Sequence, residues 1–182
     1  IVYTSPEFQP CADTFPAAHY AFVGPSIRPA EMRMEKSAQP LVYISLGTVV
    51  NNQLAFYQQC VAALADGPCR VILSIGEQVK PAALGTLPGN VEVHAHVDQI
   101  AVLQIADVFL THCGMNSASE ALYFGVPLVM FPQTPEQGGV CTRVLELGAG
   151  VKLDKPEAAS IRKAIDKVLS SSTYRAKAAE IS

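Results

Sequence analysis

DVFLTHCGMNSASEALYFGVPLVMFP (residues 107–132) decides the fold of this chain. DVFLTH (107–112) is an apolar, β-branched run, the pattern of a buried strand. MNSASEALYFG (115–125) reads as a helix closed by Gly125, and VPLVMFP (126–132) as the next strand. The alternation continues upstream. LVYISLG (41–47) and RVILSIG (70–76) are strand candidates that end in Gly, and NVEVHAHV (90–97) alternates. QLAFYQQCVAALA (53–65) has helical spacing, with Leu54, Phe56, Tyr57, Val61 and Leu64 sharing one broad face, and QIAVLQIA (99–106) reads as a short helix. Downstream, EQGGVCTRVLELG (136–148) is a helix closed by Gly148, GVKLD (150–154) a short strand, and 156–170 and 172–181 are helical. Strands that are apolar throughout and alternate with helices imply an α/β, doubly wound parallel sheet covered on both faces.

The front end differs. IVYTS (1–5) and YAFVGP (20–25) look like strands, but 6–18 and 26–40 are rich in Pro and charge. RPAEMRMEKSAQP (28–40) reads as an exposed connector.

With 182 residues, 49% hydrophobic and 16% charged, the chain can bury one good core but not two large ones. No apolar run approaches the roughly 20 residues that span a bilayer. The net charge is −3 and no basic stripe is present, which argues against nucleic acid as a partner. Five cysteines without a CxxC pair fit reduced cytoplasmic thiols better than disulfides or structural zinc. The chain opens on Ile1 without Met, and the expectation is a piece of something longer. Between Lys80 and Arg143 there is no Lys or Arg, while Glu92, Asp98, Asp107, Glu120 and Glu136 fall there. A stretch of this kind can bind an anion only without cationic side chains of its own.

In open α/β sheets, ligands bind beyond the carboxyl ends of the strands. Four turns collect polar residues there: SLGT (45–48), HVDQ (96–99), HCGMNS (112–117) and PQTPEQ (132–137). HCGMNS follows a buried strand and opens a helix. Gly114 permits close approach of a ligand to the backbone. The free N–H groups of the first helical turn, at the positive dipole end, can hold phosphate oxygens. His112, Asn116 and Ser117 add donors, and Glu120, one turn on from Asn116, can accept from ribose hydroxyls. The same six residues also fit a polar helix cap with a core histidine. His94 and His96 share one face of a strand, but no third ligand at suitable spacing completes a metal site. Cys113 fits a small buried thiol better than a nucleophile.

HVDQIAVLQIADVFLTHCGMNSASEALYFGVPLVMFPQTPEQ (96–137) resembles the donor-binding signature of UDP-dependent family-1 glycosyltransferases. IVYTSPEFQP, FVGPS and LVYISLGTV look like the bacterial macrolide and flavonoid branch. The resemblance implies the C-terminal half of a GT-B enzyme, with a Rossmann-like donor domain over 41–182. It implies a connector over 28–40 and the end of an N-terminal domain over 1–27. By resemblance, His96 and Val97 line the base pocket, with His96 where the family often has Trp, and Gln99 lies by the nucleoside. His112 bonds a donor phosphate. Gly114, Met115, Asn116 and Ser117 form the phosphate-binding turn, and Glu120 holds the ribose. Glu136 and Gln137 hold sugar hydroxyls, and Gly47 and Thr48 face the diphosphate from the other side. Asp98 stands where Pro is usual.

The resemblance further implies inverting transfer from a UDP-sugar, UDP-glucose first, to a hydroxyl of a small molecule. The UDP-sugar is then a co-substrate, with no separate cofactor and no metal. No catalytic residue is expected in this chain, because the His/Asp base belongs to the N-terminal acceptor domain. That domain is joined in cis, or in trans if the enzyme is split, and the chain alone is expected to be inactive. A GT-B sugar epimerase half or a nucleotide-binding module is the alternative from another class.

Overall fold

A computed structural model describes residues 1–49 and 51–181. Among these residues six strands form one sheet: β1 (Leu41–Ser45), β2 (Arg70–Ser74), β3 (Val91–His94), β4 (Val108–Thr111), β5 (Leu128–Met130) and β6 (Gly150–Lys152). Their order is β3-β2-β1-β4-β5-β6, and every neighbouring pair is parallel. Six α-helices among the described residues join and cover them: α1 (Leu54–Leu64), α2 (Gln99–Leu103), α3 (Met115–Tyr123), α4 (Pro135–Glu146), α5 (Ala158–Leu169) and α6 (Ser172–Glu180).

Alternation along the strands divides the core in two. Val42, Ile44, Val71, Leu73, Val108, Leu110 and Val129 face one way and pack with α1 and α5. Leu41, Tyr43, Ile72, Phe109, Leu128 and Met130 face the other way and pack with α2, α3, α4 and α6. Both faces are therefore buried, which is why the strands carry no polar alternation. Tyr43 and Phe109 stack across β1 and β4, with ring centroids 4.5 Å apart.

Two glycines end helices as the sequence reading expects. Gly125 (φ +64°) turns the chain out of α3, with Gly125 N–H donating to Leu122 O and Val126 N–H to Ala121 O. Gly148 (φ +72°) repeats the arrangement after α4.

Several elements are shorter than their sequence signals. The strand expected over 126–132 spans only Leu128–Met130, because Pro127 has no N–H to give the ladder. The helix expected over 99–106 ends at Leu103. The front segment departs most. IVYTS and YAFVGP meet in a single parallel bridge, Val2 with Phe22, and stay outside the sheet. Arg143 of α4 holds this segment, donating to Glu7 O at 2.7 Å and Phe8 O at 3.0 Å. Residues 28–40 form no helix or strand and are mostly exposed. No helix among the described residues is long and apolar enough to cross a membrane.

Candidate functional site

In this strand order the connections change direction between β1 and β4, so the loops beyond their carboxyl ends diverge and leave a crevice. A cleft of about 820 Å³ opens there. Its wall takes residues from all four polar turns: Gly47 and Thr48 after β1, His96, Val97 and Gln99 after β3, His112 and Gly114 to Ser117 around the start of α3, and Glu136 and Gln137 on α4. Of the thirteen residues expected from the sequence, only Glu120 stands off the wall itself.

Glu120 adjoins the wall through Gln99. The Gln99 side-chain amide donates to Glu120 Oε2 at 2.5 Å and to Ser117 Oγ at 3.3 Å. Tyr43 O–H donates to Gln99 Oε1 at 3.1 Å. Burial pushes the Tyr43 phenol well up, so it stays a donor at neutral pH. A buried tyrosine thus fixes Gln99, and Gln99 fixes the carboxylate of Glu120.

His112 is set by two glycines. A Cβ on Gly47 would lie 2.6 Å from His112 Cε1, and one on Gly114 would lie 2.5 Å from Nε2. Real Cβ atoms do not approach so closely, so both positions exclude any larger residue while the imidazole stays in place. Gly47 also needs its positive φ of +74°. Burial lowers the His112 pKa, while the Glu136 carboxylate and the Ser45 carbonyl pull it up. The imidazole is therefore neutral at pH 7 and can donate from one nitrogen. Nδ1 is buried with no hydrogen-bond partner among the described residues.

Gly114 precedes α3 at φ −60°, ψ 138°, and no side chain caps the helix there. The first turn of α3 is made by the cleft residues Met115, Asn116 and Ser117, whose N–H groups have no intrahelical acceptor. Cys113, just before, holds a left-handed φ of +66° although it is not glycine. Its side chain is fully buried and meets Cys141 of α4; that contact, with burial, pushes the thiol up and keeps it protonated. On α4, Thr134 Oγ1 caps the helix by accepting from Gln137 N–H at 3.3 Å. Gln137 Oε1 accepts from Gln133 N–H at 2.8 Å, which holds the side chain at the wall.

His96 lines the cleft, with Nε2 3.4 Å from Glu77 Oε1. His94 lies outside it, 3.8 Å from Glu92. No group of three His, Cys, Asp or Glu side chains among the described residues could hold a metal ion.

The wall also includes Ser45 and Thr134 from two of the quoted turns, and Arg28, Tyr43, Val49, Ser74, Gly76 and Ala95, which lie outside them. Ser74 ends β2 before Gly76 as Ser45 ends β1 before Gly47, and the same turn pattern could have flagged it. Arg28 carries no such signal. It comes from the connector and supplies the cation that the 81–142 stretch lacks.

The family described as erythromycin biosynthesis protein CIII-like, C-terminal domain, matches residues 58–182. An uncharacterized UDP-glucosyltransferase YojK of Bacillus subtilis (strain 168) is 38% identical over 188 residues, covering 100% of this chain and 46% of that protein. The oleandomycin glycosyltransferase of Streptomyces antibioticus is 39% identical over 155 residues, covering 82% of this chain and 36% of that protein. Among solved structures, the calicheamicin glycosyltransferase CalG4 superposes with a TM-score of 0.89 at 37% identity, over 99% of this chain and 47% of that one. The chain thus spans about half the length, or less, of these relatives. A match over nearly seven-tenths of its length, on a parallel sheet of the same half-enzyme shape, places the chain in the erythromycin biosynthesis protein CIII-like C-terminal domain family, within the UDP-glycosyltransferases of GT-B fold.

Proposed function

We propose that this chain is the nucleotide-sugar-binding half of an inverting glycosyltransferase. The donor is a UDP-sugar, UDP-glucose first, and the acceptor is a hydroxyl of a small molecule. The observation that carries this reading is His112, held against Gly47 and Gly114 beside the uncapped start of α3. The imidazole and the residues of the first turn of α3 stand together in the cleft wall. Such groups stabilise the charge that builds on a leaving diphosphate and need no reorganisation during the reaction. Glu120, positioned by Gln99, suits the ribose hydroxyls. Gln137 and Glu136 at the start of α4 suit the sugar. The names of the relatives, a UDP-glucosyltransferase and an oleandomycin glycosyltransferase, support the same class.

Residues 41–182 form the donor domain in this reading, with 28–40 as the connector. The base that takes the acceptor proton, a His supported by an Asp, belongs to an N-terminal acceptor domain in cis. Turnover by the purified chain alone would overturn that placement. The binding claim is tested by calorimetry with UDP. His112→Ala and Glu120→Ala are each expected to weaken binding by about 1.5–3 kcal/mol, the cost of a lost hydrogen bond to a charged partner. Circular dichroism should show the fold unchanged. Full affinity in both variants would overturn the reading of HCGMNS as a phosphate site.

A further inference from the structure

Asp98 serves two elements at once. Oδ1 caps α2 by accepting from Ala101 N–H at 3.3 Å. Oδ2 accepts from the connector amides of Glu31 at 2.5 Å and Met32 at 3.2 Å. Those amides belong to a stretch without helix or strand, so the carboxylate is what receives them. The far end of the connector is fixed by a second carboxylate. Asp107 accepts from Lys36 Nζ at 2.7 Å and from Leu41 N–H at 2.9 Å. Arg28 lies three residues before Glu31, and its Nη1 is 3.4 Å from Glu31 Oε1. It stands in the cleft wall with His96, Val97 and Gln99, the three residues immediately around Asp98. Arg28 is the one Lys or Arg in that wall among the described residues.

We propose that Asp98 straps the connector to the His96–Gln99 turn, and that Arg28, held by this strap at the nucleoside end of the cleft, extends its guanidinium to the anionic diphosphate of the ligand. The proposal rests on the nucleotide-sugar reading above. On a free linker, Arg28 would lose backbone and rotamer freedom each time it engaged a ligand. Two amides fixed on a carboxylate meet the backbone part of that cost before the ligand arrives. Asp98 is a positioning residue here; Arg28 is the one that meets the ligand. Burial pushes the Asp98 pKa up, but the amides of Glu31, Ala101 and Met32 outweigh it and hold it below the usual range. The strap is then intact at neutral pH.

The test uses the whole chain, with UDP and uridine as paired probes in calorimetry. Hydrogen exchange is followed across 28–40. Arg28→Ala should weaken UDP by roughly three- to tenfold, as expected for one partly exposed charged contact, and leave uridine unchanged. Arg28→Lys should recover most of the loss. Asp98→Ala should weaken UDP by a similar factor, speed exchange at the Glu31 and Met32 amides, and add nothing further when combined with Arg28→Ala. If Asp98→Ala loses its far-UV spectrum, Asp98→Asn, which keeps an acceptor for α2, takes its place. An Arg28→Ala variant with full UDP affinity, or with equal losses for UDP and uridine, would overturn the proposal. So would multiplicative losses in the double variant, or unchanged exchange at Glu31 and Met32 in the Asp98 variant. A wild-type chain that binds no UDP would instead overturn the nucleotide reading, and the role of Arg28 with it. The two failures are distinct, because in the first the wild-type chain still binds.

Discussion

Gly114 offers the cleanest single-residue test of how the site is built. Its φ of −60° suits any L-residue, so Gly114→Ala introduces no backbone strain. The added methyl meets His112 first, at 2.5 Å from Nε2. The imidazole must move, and UDP affinity should fall about tenfold, close to the cost of one lost charged hydrogen bond. Thermal stability should change by less than in Gly47→Ala, where the positive φ adds strain. The histidine also leaves a signature in pH. Burial depresses its folded pKa, so below about pH 6.5 the unfolded chain takes a proton that the native site resists. Its contribution to stability is complete above that pH and lost as the pH falls further. Urea unfolding between about pH 7.5 and 5.5 should show a steeper decline for wild type than for His112→Gln. These residues were legible because their signal is local: a histidine, a glycine and a helix start lie within HCGMNS. Tyr43 was not legible. It is an interior residue of an apolar strand, and only the meeting of β1 with α2 reveals that its hydroxyl orients Gln99. Cys113 was read as a buried thiol and is one, but its left-handed backbone has no sequence mark.

At the scale of elements, α4 shows what a cap contributes to a site. Thr134 satisfies the Gln137 N–H, and Pro135 occupies the first helical position, where it loses no bond. Thr134→Ala should destabilise the chain by about 1 kcal/mol in chemical denaturation. It should also loosen Gln137, seen as faster exchange at the Gln137 and Gly138 amides. The turn PQTPEQ was recognisable from sequence, yet Thr134 was passed over because a cap and a ligand donor use the same residue types. The helices were clear from periodicity, and their glycine stops fell where expected. The strands were clear in kind but not in length. Apolar runs continue past the ladder into buried turns, as Val126 does, so hydrophobicity alone overstates a strand. IVYTS and YAFVGP have the composition of strands, but with only each other to pair with they form one bridge.

For the whole molecule, one carboxylate joins three remote parts of the chain. Asp107, at the entry to β4, accepts from Lys36 and Leu41 N–H and from Arg175 of α6 at 3.0 Å. Asp107→Ala leaves a partly buried amide and two cations without their acceptor. It should cost about 2 kcal/mol, and the Tm should drop by roughly 5 °C in differential scanning calorimetry. Arg175 also donates to Ala106 O, so α6 should protect its amides less well in the same variant. Long-range links of this kind were invisible in the sequence, where Asp107 was one acid in a stretch without cations. The sheet itself was foreseeable, because β-α alternation with two-sided burial admits few arrangements. Strand order was not, and strand order is what brings the four polar turns together.

The placement of His112 against two glycines has a consequence for how the sequence can vary. The space that excludes a methyl at Gly114 exists only while the imidazole fills it. In a background where residue 112 is Ala, the same methyl at 114 enters a void and gains packing instead of causing a clash. The effect of Gly114→Ala on stability therefore changes sign with the identity of its neighbour two residues away. Substitutions at 47, 112 and 114 form one coupled set, in which the order of change decides whether each step is tolerated.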